Sequence, residues 1–469
     1  MNHFATIFKN FGLLSASDII SRILGFILIV LFARYLGAEQ FGVYSYVIVL
    51  TLLFGTLMDF GMPIITTRDL SHEKEKTKDY LVTGGILKLF LSVIVVLLLL
   101  IVTWIINKPD EVNTLIYIAS IWTVINSYER FFFSIFQAYE IMKYESILVV
   151  MAKIGWLISL LIVIFYKLDL SALFLFYLIT AIFTFIVTYS ILKKRTIKEQ
   201  IRLKFDKRLA VYLLKESWPL ALGVGLVNIL YYFDTIIMSI YQPYTEVGIY
   251  SAMYKIIILI AVGRKLFSTA VYPKLTRYYK TSKEKLCELI HKSERLSISL
   301  IVPIMVGGLI LAKEIVMLFF GEQYLSGVLP LRILFFQLLF SYTNLLFTPY
   351  LHGTGRQRVY AVVVGIGAVL NTVLNFILIP KYSMTGAAVS TIIAFALIFF
   401  IAYFIVNREL HLRIWSLFLK PIIASIPMGL VIIMIPIHVI GLVITGAIIY
   451  LITLKIIGGL KKEYFQLFE

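Results

Sequence analysis

Residues Leu89–Ile106 read LFLSVIVVLLLLIVTWII and contain no charged side chain. A run of about 18 or more apolar residues is long enough to cross the hydrocarbon core of a bilayer as a helix. A second long apolar run extends from Ile392 to Val406. The whole chain has 469 residues, of which 60% are hydrophobic and 15% charged, whereas soluble domains carry about 25% charged residues. The composition therefore predicts an integral membrane protein.

The apolar runs recur along the chain and predict an all-α membrane fold of about fourteen transmembrane helices. Helices are expected rather than barrel strands, because backbone groups in lipid must be hydrogen-bonded within each segment and the runs are too long for strands. The expected spans lie at about 13–33, 43–66, 81–106, 114–136, 146–166, 171–192, 217–240, 246–271, 296–312, 327–349, 359–380, 384–406, 414–434 and 438–457.

The distribution of Lys and Arg predicts the orientation, because cytosolic loops are enriched in these residues. One alternate set of loops carries most of them, including the runs Lys193–Arg208 and Lys274–Arg295. The other set holds Arg34, Lys108, Lys167, Lys313 and Lys381. We therefore expect a multi-pass protein of the cell membrane with both termini in the cytosol, and we expect the loops 193–216 and 272–295 to be basic amphipathic helices on the inner leaflet.

A net charge of +17 suggests acidic partners. Because the basic residues flank hydrophobic spans, we expect anionic inner-leaflet lipids rather than nucleic acid. The chain has one cysteine, Cys287, and six scattered histidines. We therefore expect no metal site and no cofactor.

An internal repeat is visible in the sequence. Gly42-Val43-Tyr44-Ser45 and Gly248-Ile249-Tyr250-Ser251 each open an expected span, 206 residues apart. Both halves begin in the cytosol, so the repeat is parallel, as in transporters that place substrate between their halves. The expected domains are a six-helix lobe at 1–206, a second six-helix lobe at 207–412, and an appended helix pair, spans 13 and 14, at 413–469.

Several motifs resemble polysaccharide flippases of the multidrug/oligosaccharidyl-lipid/polysaccharide exporter superfamily. They are Ser21-Arg22-Ile23-Leu24-Gly25-Phe26, Ala33-Arg34-Tyr35-Leu36-Gly37, Gly353-Thr354-Gly355-Arg356, Asn371-x-x-x-Asn375 and Gly386-Ala387-Ala388. The resemblance implies a V-shaped pair of lobes with a central cavity. It also implies movement of a polyprenyl-pyrophosphate-linked oligosaccharide from the cytosolic to the outer leaflet by alternating access, for cell-surface polysaccharide biosynthesis.

Cations within the expected spans are candidates for contact with an anionic pyrophosphate, because ions in the bilayer are costly and usually face a cavity or a partner. Arg22 and Lys255 lie near the middle of their spans. An ion pair with Asp18, four residues away on the same helix face, is an equally good explanation for Arg22. The remaining candidate cations are Arg264, Lys265, Arg332 and Arg68.

Three acids within the expected spans, Asp18, Asp59 and Asp234, are candidates for coupling export to H⁺ or Na⁺, and salt bridges to the many cations are the alternative. Lys88 lies close to the end of its span, so we expect it to extend to the headgroups. Glu129 adjoins Arg130, which suggests a structural pair. The aromatic run Phe131-Phe132-Phe133 is expected to pack against helices or lipid.

Two other functions fit parts of this pattern. A membrane glycan polymerase or ligase acts on similar glycans but needs a sizeable outward loop, and the expected outward loops are short, so we expect no enzyme. A drug/cation antiporter of the same superfamily would share the helix pattern. Its cavity should be acidic, whereas the mid-bilayer charges Arg22 and Lys255 are basic.

We expect Arg22→Ala to abolish glycan export while the protein still inserts into the membrane, because the pyrophosphate would lose a fixed cation in the bilayer. Export of a labelled lipid-linked oligosaccharide, normalised to the amount of protein in the membrane, measures the effect. Normal export by a well-expressed variant would contradict the assignment.

Overall fold

The computed structural model describes residues 3–196 and 204–460, with the side chains of residues 17, 18, 20–196, 204–264 and 267–460. Every regular element in these ranges is helical, which confirms the all-α class. Contacts within the chain divide it into two compact units, Met1–Ile240 and Tyr241–Glu469, called here the N-terminal and C-terminal units. The division of the sequence repeat after residue 206 stays a prediction.

Helices α1 to α8 form the N-terminal unit. Their bounds are α1 His3–Asp59, α2 Met62–His72, α3 Thr77–Asp79, α4 Gly85–Ile106, α5 Asp110–Ala138, α6 Met142–Tyr166, α7 Leu170–Thr196 and α8 Lys207–Tyr241. A 3-10 turn precedes α3, and a π-helical turn, Tyr80–Gly84, leads from α3 into α4.

Helices α9 to α16 form the C-terminal unit. Their bounds are α9 Tyr244–Thr281, α10 Lys283–Ile310, α11 Ala312–Phe319, α12 Val328–Thr343, α13 Phe347–Gly353, α14 Gln357–Leu410, α15 Leu419–Met434 and α16 Val439–Ile456. In this unit α12 packs against α9, α10 and α14, while α15 and α16 pack against each other and against α10.

Eleven helical stretches among the described residues are long and apolar enough to cross a bilayer. Two of them, Ile20–His72 and Gln357–Leu410, are far longer than the ~20 residues that one crossing needs. Both contain a residue with a non-helical backbone, Gly37 (φ 78°) in α1 and Ser383 (φ 48°) in α14. The count of about fourteen spans stays a prediction.

A hydrophobic core of the N-terminal unit forms where α2 and α7 pack against α5. All three residues of the run Phe131–Phe133 are buried there, with Phe136 one turn further on. Phe132 stacks on Phe185 of α7 with ring centroids 5.5 Å apart. Helix packing therefore accounts for this aromatic run, because stacked rings add specific contacts to the burial of apolar area.

The turn between α1 and α2 brings two backbones into close contact. Gly61 has a φ of 74°, in the left-handed region that favours glycine. A Cβ at this position would lie 2.7 Å from the carbonyl oxygen of Ser217 and 3.0 Å from the amide nitrogen of Ala221, both on α8. The chain can therefore turn here against α8 only with glycine at position 61.

The basic loops do not form separate surface helices where the structure describes them. Residues 272–281 are the last turns of α9, and residues 283–295 are the first turns of α10. The two helices meet at Ser282, whose hydroxyl accepts a hydrogen bond from the Lys285 amide and caps α10. The expectation of a separate helix at 272–295 was wrong because this cap starts α10 before the apolar run begins. Of the other loop, residues 204–206 are not helical, and α8 begins at Lys207. Residues 197–203 of this loop lie outside the described residues.

We expect Gly61→Ala to lower the free energy of unfolding by about 2–3 kcal/mol, because the new Cβ adds backbone strain and meets the α8 backbone. The midpoint of thermal unfolding in detergent measures the change. Gly85→Ala is the matched control, since a Cβ at Gly85 meets nothing within 4 Å. Equal midpoints for the two variants would contradict the role given to Gly61.

Candidate functional site

Asp59 is the last residue of α1 and lies just before the turn at Gly61. A carboxylate is electrostatically disfavoured at a helix C-terminus, where the helix dipole is negative. Cations from two other helices stabilise the negative charge of Asp59. Lys88 Nζ of α4 lies 2.8 Å from Asp59 Oδ1, and Arg130 Nε of α5 lies 2.5 Å from Asp59 Oδ2. Ser127 Oγ donates a third hydrogen bond to the Asp59 carboxylate, at 2.7 Å from Oδ1.

The three charged side chains differ in exposure. The Lys88 side chain is 0% exposed, that of Asp59 is 19% exposed, and that of Arg130 is 45% exposed. The expectation that Lys88 extends to the headgroups was wrong, because its ammonium group has a carboxylate partner inside the helix bundle. Lys88 thus holds Asp59 from the buried side, and Arg130 covers it from the open side.

The expected pair of Glu129 and Arg130 does not form. Glu129 is buried and accepts a hydrogen bond from Thr188 Oγ1 at 3.2 Å. Adjacent residues on a helix point in directions about 100° apart, so Arg130 can turn to Asp59 while Glu129 points to α7. A helix neighbour was therefore the wrong partner for Arg130.

Arg130 opens onto a cavity of about 850 Å³ whose lining lies entirely within the N-terminal unit. Helices α1, α2, α5, α6 and α8 line it. Its polar and aromatic lining residues include Thr56, Asp59, Arg68, Trp122, Asn126, Arg130, Gln137, Glu145, Trp156 and Asn228. Two guanidinium groups and two carboxylates face this space, and Lys88 adds a positive charge behind Asp59. The cavity is therefore not acidic.

Arg68 and Glu145, the other charged residues of the lining, are also bound by neighbours. Arg68 Nε lies 2.8 Å from Asp69 Oδ1, and its guanidinium also reaches Glu216 of α8 at 3.4 Å. Glu145 accepts hydrogen bonds from the Gln137 amide at 3.0 Å. The guanidinium of Arg130 is different, since its two Nη atoms make no hydrogen bond with the described part of the protein and only Nε is engaged.

Among the residues predicted from the sequence, Asp59 and Arg68 line this cavity. Arg22 and Asp18 form the intrahelical pair that was one of the two explanations, with Nε 3.0 Å from Oδ1. Asp234 is buried near the end of α8, where its Oδ1 accepts the Thr235 amide at 2.7 Å. The roles of these residues in substrate or ion binding stay predictions.

The other predicted cations belong to the C-terminal unit. Lys255 is half-buried on α9. Arg264 is half-buried on the same helix, with its Nε buried and without an acceptor among the described residues. Arg332 is exposed on α12. The side chain of Lys265 lies outside the described residues. Their contact with substrate stays a prediction.

Comparison with known proteins identifies the family. The model of a family described as polysaccharide biosynthesis protein matches residues 7–279, more than half of the chain. The chain belongs to this family. The expected resemblance to polysaccharide flippases is thereby confirmed at the level of the family. A second family model, MatE, matches residues 219–377.

Two relatives align with this chain over most of their length. A capsular polysaccharide biosynthesis protein of Staphylococcus aureus is 25% identical over 82% of this chain and 96% of its own. A probable low-salt glycan biosynthesis flippase of Haloferax volcanii is 23% identical over 85% of this chain and 81% of its own. A lipid II flippase in its inward closed conformation has the same fold, with a TM-score of 0.77, 19% identity and coverage of 95% and 98%.

Sequence reasoning did not find Lys88, Ser127 and Arg130 as partners of Asp59. One signal was available for part of the site. Trp122, Asn126 and Arg130 lie four residues apart on α5, so they share one face of that helix, and all three line the cavity. A polar and aromatic stripe at this spacing in a membrane helix indicates a face turned away from lipid.

We expect Lys88→Met to lower the free energy of unfolding by about 3 kcal/mol, because it leaves the Asp59 carboxylate without its buried cation. Thermal unfolding in detergent measures the loss. The double variant Asp59→Asn/Lys88→Met removes both charges and should recover most of it. A double variant no more stable than Lys88→Met would show that the pair is not the source of the loss.

Proposed function

We propose that this protein is a flippase that moves an anionic polyprenyl-pyrophosphate-linked oligosaccharide from the cytosolic to the outer leaflet by alternating access. It would act in the cell membrane, with both termini in the cytosol, in cell-surface polysaccharide biosynthesis. Family membership supports the class of function, and the chemistry of the cavity supports the class of substrate.

The observation that carries this proposal is the half-exposed guanidinium of Arg130 at the cavity wall. Its Nε is bound by Asp59, and its two Nη atoms make no hydrogen bond with the described residues. Arginine can donate two parallel hydrogen bonds to phosphate oxygens, and such charge-assisted bonds are stronger than neutral ones. Because Lys88 neutralises Asp59 from behind, the open side of the network has a net positive charge. An anionic pyrophosphate is therefore the expected ligand.

Asp59 has a specific task in this scheme. A guanidinium in a low-dielectric cavity needs a counter-ion, or its desolvation is too costly. Asp59 supplies one and orients Arg130, and its own charge is balanced by Lys88 when the pyrophosphate arrives. We therefore assign Asp59 a positioning role. Asp18 and Asp234 are proposed to couple transport to H⁺ or Na⁺.

The other predicted cations would serve the same anion at other stages of its passage. Arg68 lies on the wall of the same cavity, about two turns into α2, and the pyrophosphate would contact it before or after Arg130. Arg22, Lys255, Arg264, Lys265 and Arg332 are proposed as further contacts with the pyrophosphate. The basic segments that flank the spans would bind anionic lipids of the inner leaflet.

A drug/cation antiporter is the second candidate, and the MatE match at residues 219–377 favours it. Such a protein would use carboxylates to bind cationic drugs. The carboxylates of the cavity described above are both engaged, Asp59 by two cations and Glu145 by Gln137. An anionic substrate fits this lining better than a cationic one.

We expect Arg130→Ala to slow translocation of a labelled lipid-linked oligosaccharide in reconstituted vesicles by about tenfold or more, because the pyrophosphate loses its charge-assisted partner. Arg130→Lys keeps the charge without the fork and should be intermediate. Lys143→Ala removes an exposed cation outside the cavity and is the matched control.

Two results would overturn the proposal. Wild-type translocation by a well-folded Arg130→Ala protein would exclude an anion site at this wall. Transport of tetraphenylphosphonium, but not of the lipid-linked oligosaccharide, by the wild-type protein would establish the antiporter instead.

A further inference from the structure

The cavity continues from Arg130 toward a pair of tryptophans. Trp122 of α5 and Trp156 of α6 both line it, and their ring centroids are 5.6 Å apart at an interplanar angle of 59°. Trp156 is held firmly, because it stacks on Tyr177 of α7 at 5.2 Å and the Lys153 ammonium lies 3.8 Å from its ring centroid. Trp122 is half-buried, and Trp156 supports it from the side.

Two amides accompany Trp122 on the cavity wall. Asn126 Nδ2 donates to the Trp122 carbonyl at 2.9 Å, and Asn228 Nδ2 of α8 donates to Thr56 Oγ1 at 2.7 Å. Each amide is thereby oriented, and each keeps a carbonyl oxygen that receives no hydrogen bond from the described protein. A carbonyl oxygen in this situation can accept a hydrogen bond from a ligand hydroxyl.

The distance along α5 relates these groups to Arg130. Trp122, Asn126 and Arg130 share one helix face, and eight residues at about 1.5 Å each place the tryptophan about 12 Å from the arginine along the axis. The long Arg130 side chain shortens this gap, because its Nη2 atom and the Thr123 Cγ2 atom lie 3.7 Å and 2.8 Å from the position that a Cβ would take at Gly55. A pyrophosphate bound at Arg130 would therefore lie close to the residue next to Trp122, and the sugars attached to it would extend to the tryptophan.

We propose that Trp122, Asn126 and Asn228 form a sugar subsite that binds a pyranose of the lipid-linked glycan. The aliphatic C–H face of a pyranose would lie on the indole, and its hydroxyls would donate to the two amide oxygens. This inference rests on the proposed function, in which Arg130 holds the pyrophosphate. It deepens that function by assigning a recognition site for the glycan.

The surroundings of the pair favour a neutral sugar over the cationic aromatic drugs that tryptophans can also bind. A drug cation would be attracted to the face of an indole. The Lys153 ammonium already lies against the Trp156 ring and would repel a second cation. A sugar carries no charge and brings the hydroxyl donors that the amide oxygens lack. Simple helix packing would account for the ring contact but not for oriented amides beside an open space.

The subsite is tested by measuring binding to the full-length protein in lipid nanodiscs. The probes are farnesyl pyrophosphate alone, the same lipid carrying one sugar, and the same lipid carrying a linear trisaccharide. The sugars are glucose, galactose and N-acetylglucosamine in separate series. We expect the wild-type protein to bind the monosaccharide or trisaccharide lipid of at least one series about tenfold more tightly than farnesyl pyrophosphate alone, since one ring-stacking contact with its hydrogen bonds is of this order.

Trp122→Ala should remove this gain and leave the affinity for farnesyl pyrophosphate unchanged, whereas Trp122→Phe should keep most of it. Trp104→Ala is the matched control, because Trp104 is 81% exposed and lies outside the cavity lining. Two outcomes would overturn the subsite: no series in which a sugar-carrying lipid binds more tightly than farnesyl pyrophosphate, or the same gain in Trp122→Ala. Loss of binding to all three lipids in Trp122→Ala would also overturn it, since that points to a structural role.

The failures of the two proposals can be told apart in the same experiment. Arg130→Ala should weaken binding of all three lipids by a similar factor and keep the gain in affinity that the glycan adds. If Arg130→Ala binds farnesyl pyrophosphate as the wild type does, the pyrophosphate site is refuted whatever Trp122 does. If Arg130→Ala weakens all three while Trp122→Ala has no effect, the function stands and the sugar subsite is refuted.

Discussion

The carboxylate of Asp59 and its two cations are the interaction on which the N-terminal unit depends. An acid at the end of α1 lies at the unfavourable pole of the helix dipole and inside a membrane protein, so it can stay charged there only beside positive partners. Lys88 and Arg130 supply these from α4 and α5. The carboxylate therefore ties three helices together at the point where the chain turns through Gly61 toward α2.

This constraint also determines the chemistry of the cavity beside it. Of the two cations, Lys88 is fully enclosed, so its charge serves the carboxylate, while Arg130 is half-exposed and has donors to spare. The result is a wall that carries an acid yet has a positive outward side. A carboxylate in a transporter cavity would otherwise suggest a cationic substrate. Its partners reverse that interpretation and agree with membership of a polysaccharide biosynthesis family.

Helix α5 shows how one segment can serve both packing and function. Its buried side carries Phe131 and Phe136, which belong to the core with α2 and α7. Its cavity side carries the stripe of Trp122, Asn126 and Arg130. Helical periodicity separates these two faces. The stripe can be recognised in the sequence by its spacing. Which residues surround it depends on how α1, α6 and α8 pack around the cavity.

The sequence by itself determined the membrane class, the helical fold and the family, because hydropathy and the need to pair backbone groups in lipid act within each segment. Only the tertiary structure decided which charges meet. Lys88 and Arg130 are 29 and 71 residues from Asp59 in the chain, and no local rule links them. Depth in a span predicted exposure for Lys88, and adjacency predicted Glu129 for Arg130. Both predictions failed for one physical reason, which is that a charge in a membrane protein is stabilised by the partner that packing brings to it.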